Sequence, residues 1–159
     1  MGYKENAELV ENYLRENGWH YVRRDREDRR TAVFLGGVSG LGGIHDTYRF
    51  ALCVDDDAVQ YYAILPVSAQ DKKVECAEFI SRANCGMKFG KFELAFRDGE
   101  VRFHIIYPID AIRIKVNESM QRIISIASGT VREYVNGLML VLIGQKTPAE
   151  AITEIERKT

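Results

Sequence analysis

Cysteine is scarce in this chain and carries no pattern. The 159 residues hold three, Cys53, Cys76 and Cys85, an odd number without C-x-x-C spacing, which argues against a disulfide framework and for a reducing compartment. Each lies in a segment that reads as ordinary strand or helix, where a thiol serves as a small buried hydrophobe. Histidine is as sparse: His20, His45 and His104 stand far apart, and no pair has the spacing of a metal-binding helix or knuckle, so zinc is not expected. Charge of one sign is also lacking. Lys and Arg number 22 against 23 Asp and Glu, a formal net charge of -1, without the basic excess that grips a phosphate backbone or an anionic bilayer. Neither nucleic acid nor membrane is an expected partner. The start, Met1-Gly2-Tyr3-Lys4-Glu5-Asn6, runs directly into charged helix with no apolar leader or cleavage signal, and Asn6 stands where a myristoylation signal would place Ser or Thr. A cytoplasmic location is expected.

What is present is the material for a core. With 46% hydrophobic and 10% aromatic residues, the chain is long enough for one well-filled domain over residues 1–159 and too short to argue for two. Ala7, Leu9, Val10, Tyr13 and Leu14 recur at helical spacing until Asn17-Gly18, which predicts a helix over residues 5–17. A short strand at 19–23 follows, then strands at 31–38, 46–54 and 58–65. Tyr48, Phe50, Leu52 and Val54 alternate onto one face, while 58–65 is nearly continuous in apolar residues, as a central strand would be. A second helix, starting near Ala69 or Asp71, presents Cys76, Phe79, Ile80, Ala83 and Met87 as its buried stripe.

Period and turn chemistry together predict a hairpin next. Phe92, Leu94 and Phe96 alternate with Glu93, Ala95 and Arg97; Val101, Phe103, Ile105 and Tyr107 alternate with Arg102, His104 and Ile106; Asp98-Gly99 between them suits a two-residue turn. Beyond Pro108, Asn117 is the candidate cap of the longest helix. Met120, Ile124, Ala127, Val131, Tyr134, Leu138 and Val141 step along it by four and three, and a second row, Ile123, Ile126, Val135, Met139 and Leu142, widens the apolar surface. Such a helix lies deep in the core or meets another chain. Thr147-Pro148-Ala149-Glu150 opens a short terminal helix with a capping box. The fold class is α+β: an antiparallel sheet with helices packed on one face, in the order α-β-β-β-α-β-β-α plus a short C-terminal helix.

Several segments invite chemistry that their context does not support. Gly36-Gly37-Val38-Ser39-Gly40-Leu41-Gly42-Gly43 is glycine-rich, but a phosphate loop needs a following helix, and here another strand follows, so a flexible hairpin loop is expected. Asp55-Asp56-Asp57 lacks the alternating ligands and distant Glu of a calcium loop and reads as a solvated turn. The run Arg23, Arg24, Arg26, Arg29 and Arg30 is interleaved with Asp25, Glu27 and Asp28, and reads as an exposed hairpin tip with anion or acidic-partner binding as the second reading. His104 has no nucleophile or orienting carboxylate tied to it by sequence and reads as a surface histidine. No catalytic, metal or cofactor-binding residue is assigned.

The string Phe79-Ile80-Ser81-Arg82-Ala83-Asn84, the following Gly90-Lys91-Phe92-Glu93-Leu94 and the hairpin Asp98-Gly99-Glu100-Val101-Arg102-Phe103 resemble the signature of the YbjN family, described as bacterial sensory transduction regulators. The order of elements over nearly the whole chain is also similar. The family's fold resembles that of type III secretion chaperones, which are small, often dimeric and act by binding other proteins. The resemblance implies a bacterial, non-enzymatic interaction module, chaperone-like or a regulatory adaptor, and a homodimer. Its partner would lie on the mixed sheet face, where Phe34, Ala51, Cys53, Ala95 and Ile106 stand among Arg49, Arg102 and His104, or on the long helix. The partner-binding candidates are Phe34, Ala51, Ile106, Ile123, Val135 and Met139. The alternative is a small-ligand-binding or enzymatic domain, with a pocket between sheet and helices fringed by His104 and Tyr61 or Tyr62.

Overall fold

Apolar residues at helical spacing build α1 (Tyr3–Glu16), which buries Tyr3, Ala7, Val10, Tyr13 and Leu14 and stops at Asn17-Gly18. In the computed structural model, which describes residues 2–43 and 45–158, four strands follow: β1 (Tyr21–Arg26), β2 (Thr31–Val38), β3 (Tyr48–Val54) and β4 (Ala58–Ser68). Helix α2 (Lys73–Asn84) crosses to the hairpin β5 (Lys91–Ala95) and β6 (Glu100–Pro108). Helices α3 (Ile109–Ile114), α4 (Val116–Leu142) and α5 (Pro148–Arg157) complete the chain. The strands form one antiparallel sheet in the order β1-β2-β3-β4-β6-β5.

The α+β class and the antiparallel sheet with helices against it are as expected from the sequence. Two details differ. Four strands rather than three precede α2, because the short segment expected at 19–23 is a full strand paired with β2 from Tyr21↔Gly36 to Arg26↔Thr31. Helix α3 was not foreseen, since six residues are too few to display a 3.6-residue period.

Strand parity assigns the core to one side of the sheet. Ala32, Phe34, Phe50, Leu52, Val54, Val59, Tyr61, Ala63, Val101, Phe103 and Ile105 are buried beneath α1 to α4, and α5 packs on α2 and α4. Inside this layer Tyr48 Oη lies 2.9 Å from Tyr61 Oη and 2.8 Å from Ser128 Oγ, joining two strands to the middle of α4. Helix α4 runs unbroken through Ser128-Gly129. Its cap differs from expectation too: Lys115 occupies that position without a side-chain hydrogen bond. At the other end of the chain the expected box is in place, with Glu150 N donating to Thr147 Oγ1 and Thr147 N donating to Glu150 Oε2.

Asn6, although polar, is fully buried, and its amide is satisfied from both ends. Nδ2 donates to the carbonyls of Asp55 (2.9 Å) and Asp56 (3.4 Å), and Oδ1 accepts from Arg113 Nε (3.2 Å) and Nη2 (2.8 Å). The triple-aspartate turn is therefore a joint. Asp55 Oδ1 takes the amides of Asp57 and Ala58, and Asp56 takes the Tyr3 amide and the Arg30 guanidinium.

The β5–β6 turn is longer than its Asp98-Gly99 pair suggests. Ala95 pairs with Glu100, leaving a four-residue loop in place of the two-residue turn, closed by Gly99 N donating to Ala95 O at 2.8 Å. Gly99 sits at φ +75°, and a Cβ on it would stand 2.4 Å from Gln70 N. Both its backbone angle and its contact with the start of α2 require glycine. Gly99→Val should cost about 3 kcal/mol in urea unfolding, combining left-handed strain with a backbone clash. Gly129→Ala should do the reverse, gaining about 1 kcal/mol, because its Cβ would meet nothing within 4 Å.

Candidate functional site

Among the described residues, no element covers the face of the sheet turned away from the helices. Cross-strand register lays it out in rows: Val22, Leu35, Ala51, Tyr62, His104 and Lys91 in one; Arg24, Val33, Cys53, Gln60 and Ile106 in the next; Gly37, Arg49, Ile64, Arg102 and Glu93 on the other flank. A groove of about 430 Å³ opens over its centre. Val33, Leu35, Ala51, Cys53, Tyr62 and Ile64 form the floor, and Arg24, Arg26, Arg29 and Arg102 stand around it. Arg24 and Arg26 have no carboxylate partner among the described residues, whereas Arg23, of opposite parity, points to the helix side and pairs with Glu11 and Asp25.

One flank of this face is a polar cluster built by three strands. His104 stacks on Tyr62 at 4.1 Å between ring centroids. Its Nδ1 lies 2.9 Å from Glu93 Oε1 and its Nε2 lies 3.2 Å from Gln60 Oε1. Arg102 Nε donates to Glu93 Oε2 at 2.7 Å while its guanidinium lies over the Tyr62 ring. His104 is thus only 6% exposed, which corrects its reading as a surface histidine. Alternation gives its face correctly, but burial comes from cross-strand neighbours. Burial pushes the Glu93 carboxyl up, and hydrogen bonds from His104 and Arg102 more than reverse this, leaving it below its ordinary 4.5.

Three partner-binding candidates change place. Phe34 is fully buried on the helix side; Val33-Phe34-Leu35 is apolar throughout, so alternation could not decide which residue faces out, and a slip of one inverts the face. Ile123 and Val135 are buried because the breadth of the α4 surface is used within the chain, against the sheet, α1, α2 and α5. Met139 is half-buried. Ala51 and Ile106 do lie on the open face, Ile106 57% exposed. Arg24, Arg26, Val33, Leu35 and Ile64 were missed as members of this surface. The β1–β2 hairpin carried a signal for the first two: with Tyr21 inward, Arg24 and Arg26 must point outward.

The imagined pocket between sheet and helices does not form around His104, Tyr61 and Tyr62. Tyr61 lies in the core, and Tyr62 and His104 lie on the opposite face. The glycine-rich loop keeps its amides for itself: Asp46 accepts from Gly40 N at 3.3 Å and Gly42 N at 2.6 Å. Ile44 of that loop lies outside the described residues. Cys53 is half-buried, Cys76 buried and Cys85 exposed, and none is in a disulfide; burial raises the Cys76 thiol to about 11. Among the described residues no group of His, Cys, Asp and Glu side chains could hold a metal ion, and no helix is long and apolar enough to cross a membrane.

Compared with family models, curated proteins and solved structures, the chain matches none. The resemblance to the YbjN family therefore rests on the residues quoted for it. Their work here is architectural: Phe79, Ile80 and Ala83 are buried, and Asn84 staples the end of α2 to β5, its Nδ2 donating to Phe92 O and its Oδ1 accepting from Phe92 N.

Because the folded Glu93 carboxyl is held below 4.5, its contribution is complete above that value and vanishes as pH falls through the lower folded value. Glu93→Gln should lose about 2 kcal/mol of stability above pH ~5, and the gap to wild type should close progressively below 4.5 in denaturant titrations run across pH.

Proposed function

We propose that the chain is a non-enzymatic protein-interaction module, a chaperone-like or regulatory adaptor, that receives a partner segment on the open face of its sheet. The observation that carries this reading is the composition of that face. A solvated sheet face ordinarily shows polar side chains, and this one has an aliphatic floor ringed by arginines, of which Arg24 and Arg26 have no carboxylate partner among the described residues. The resemblance to the YbjN family and to secretion chaperones supports the same reading and implies, with it, a bacterial cytoplasmic setting and a homodimer. The breadth of α4 gives no ground for a dimer, since its buried face is used within the chain; the resemblance remains the ground for one. No observation favours the small-ligand alternative, because large side chains such as Phe34, Phe50, Phe79 and Phe103 fill the space between sheet and helices.

The test is capture from native lysate by wild type, Leu35→Asp and Ile106→Asp, each checked for folding by circular dichroism. Leu35 and Ile106 are 38% and 57% exposed, so both variants should fold. A stoichiometric partner should bind wild type and be lost from both. Phe34→Asp should fail to fold, as the burial of an unpaired carboxylate demands. A partner retained by both surface variants would remove the open face from the interaction.

A further inference from the structure

We infer that the segment received by the open face is an acidic, amphipathic stretch of another protein, its apolar side chains on the Leu35, Ala51 and Ile64 floor and its carboxylates against Arg24, Arg26 and Arg29. This rests on the reading of that face as an interaction surface and gives its partner a chemistry.

The charge of the groove is the first ground. The chain as a whole carries a net charge of -1, yet the groove is lined by four arginines and no carboxylate. Arg24 and Arg26 are exposed and unpaired among the described residues. Arg29 has only the exposed Asp28 at 3.9 Å, a solvent-screened pair of little energetic weight. Like charges gathered around an apolar floor repel one another, and an anionic ligand relieves that repulsion. Guanidinium groups suit carboxylates in particular, since two parallel N–H donors meet two oxygens.

Spacing is the second ground. Arg24 and Arg26 are two apart on one strand face, roughly 7 Å between Cα atoms, close to the separation of carboxylates at i and i+4 on a helix or i and i+2 on a strand. A row across all six strands spans roughly 24 Å, the length of about 16 helical residues.

The floor distinguishes a protein segment from other anions. Val33 is only 7% exposed and sits below the arginines, so a flat lipid surface would meet the rim and leave the floor empty, whereas side chains of a peptide reach it. Single-stranded nucleic acid needs free aromatic faces for stacking; Tyr62, the aromatic residue of the groove, is already flanked by His104 and Arg102.

The probe is a display library of random 16-residue peptides panned on the wild-type protein, with enriched peptides measured by fluorescence anisotropy. Enrichment of Asp and Glu together with Leu, Ile or Phe is expected, with affinity falling about tenfold or more in Arg24→Glu/Arg26→Glu, as charge reversal at a desolvated pair should produce. Leu35→Asp should weaken the same peptides, and raising salt should weaken them further. Peptides lost with Leu35→Asp but without acidic enrichment, and indifferent to the arginine reversal, would overturn this inference and leave the interaction reading standing. No enriched peptide, or peptides unaffected by Leu35→Asp and Ile106→Asp, would overturn both. Phosphatidylglycerol vesicles and a 20-nucleotide single-stranded RNA are run beside them; binding of either through Arg24 and Arg26 without acidic-peptide binding would reassign the face. Arg24→Gln/Arg26→Gln, which only removes charge, replaces the reversal if that variant unfolds.

Discussion

Helix α4 lies against the sheet with Met120, Ile123, Ala127, Val131, Val135 and Leu138 buried, and the other helices take their places from it. A large apolar side chain so buried contributes about 1.5–3 kcal/mol, so this one face outweighs any polar contact in the molecule. Because its buried residues cover nearly half of its circumference, α4 touches the sheet, α1 and α2 at once, and α5 closes a further side through Ala151, Ile152 and Ile155. Gly137 permits that closure: a Cβ there would stand 2.5 Å from Ile155 Cδ1. The helices thereby bury their apolar stripes on one side of the sheet, and among the described residues no element lies over the other.

That asymmetry gives the open face its meaning. Exposed sheet edges are a separate hazard, and both are defended by charge: β1 carries Arg23, Arg24, Asp25 and Arg26, and β5 carries Lys91 and Glu93. On the proposed reading, recognition is directed to the flat of the sheet rather than its borders, and there Leu35, Ala51, Ile64 and Ile106 offer contact without a free backbone ladder.

Elements with a clean period were legible in the sequence: α1, the β3 alternation, the Cys76, Phe79, Ile80 and Ala83 stripe of α2, the two strands of the hairpin and the capping box of α5 stand where spacing puts them, while Met87 falls beyond the end of α2 and the hairpin turn is longer than expected. Where period was absent, the reading turned on long-range pairing. Val33-Phe34-Leu35 is uniformly apolar, and only its register against Cys53, Leu52 and Ala51 decides that Phe34 goes in. His104 was placed on the correct face, but the contacts that bury it come from Gln60 and Tyr62, more than 40 positions earlier. The open face was half-visible for the same reason: Ala51 and Ile106 lie on alternating strands, while the arginines beside them looked neutralised by the neighbouring acids, of which Asp25 in fact pairs with Arg23, Glu27 with Lys4 and Asp28 with Arg29.

The Asn6 joint has a consequence for synthesis. Its acceptors come from a turn 49 and 50 residues downstream and its donor from Arg113, 107 residues downstream. Helix α1 therefore leaves the ribosome long before the groups that satisfy its buried amide exist, and with translation at roughly 5–20 residues per second it waits several seconds for them. Helix α1 is made before the groups that lock it, so its apolar stripe needs shelter until Arg113 has emerged.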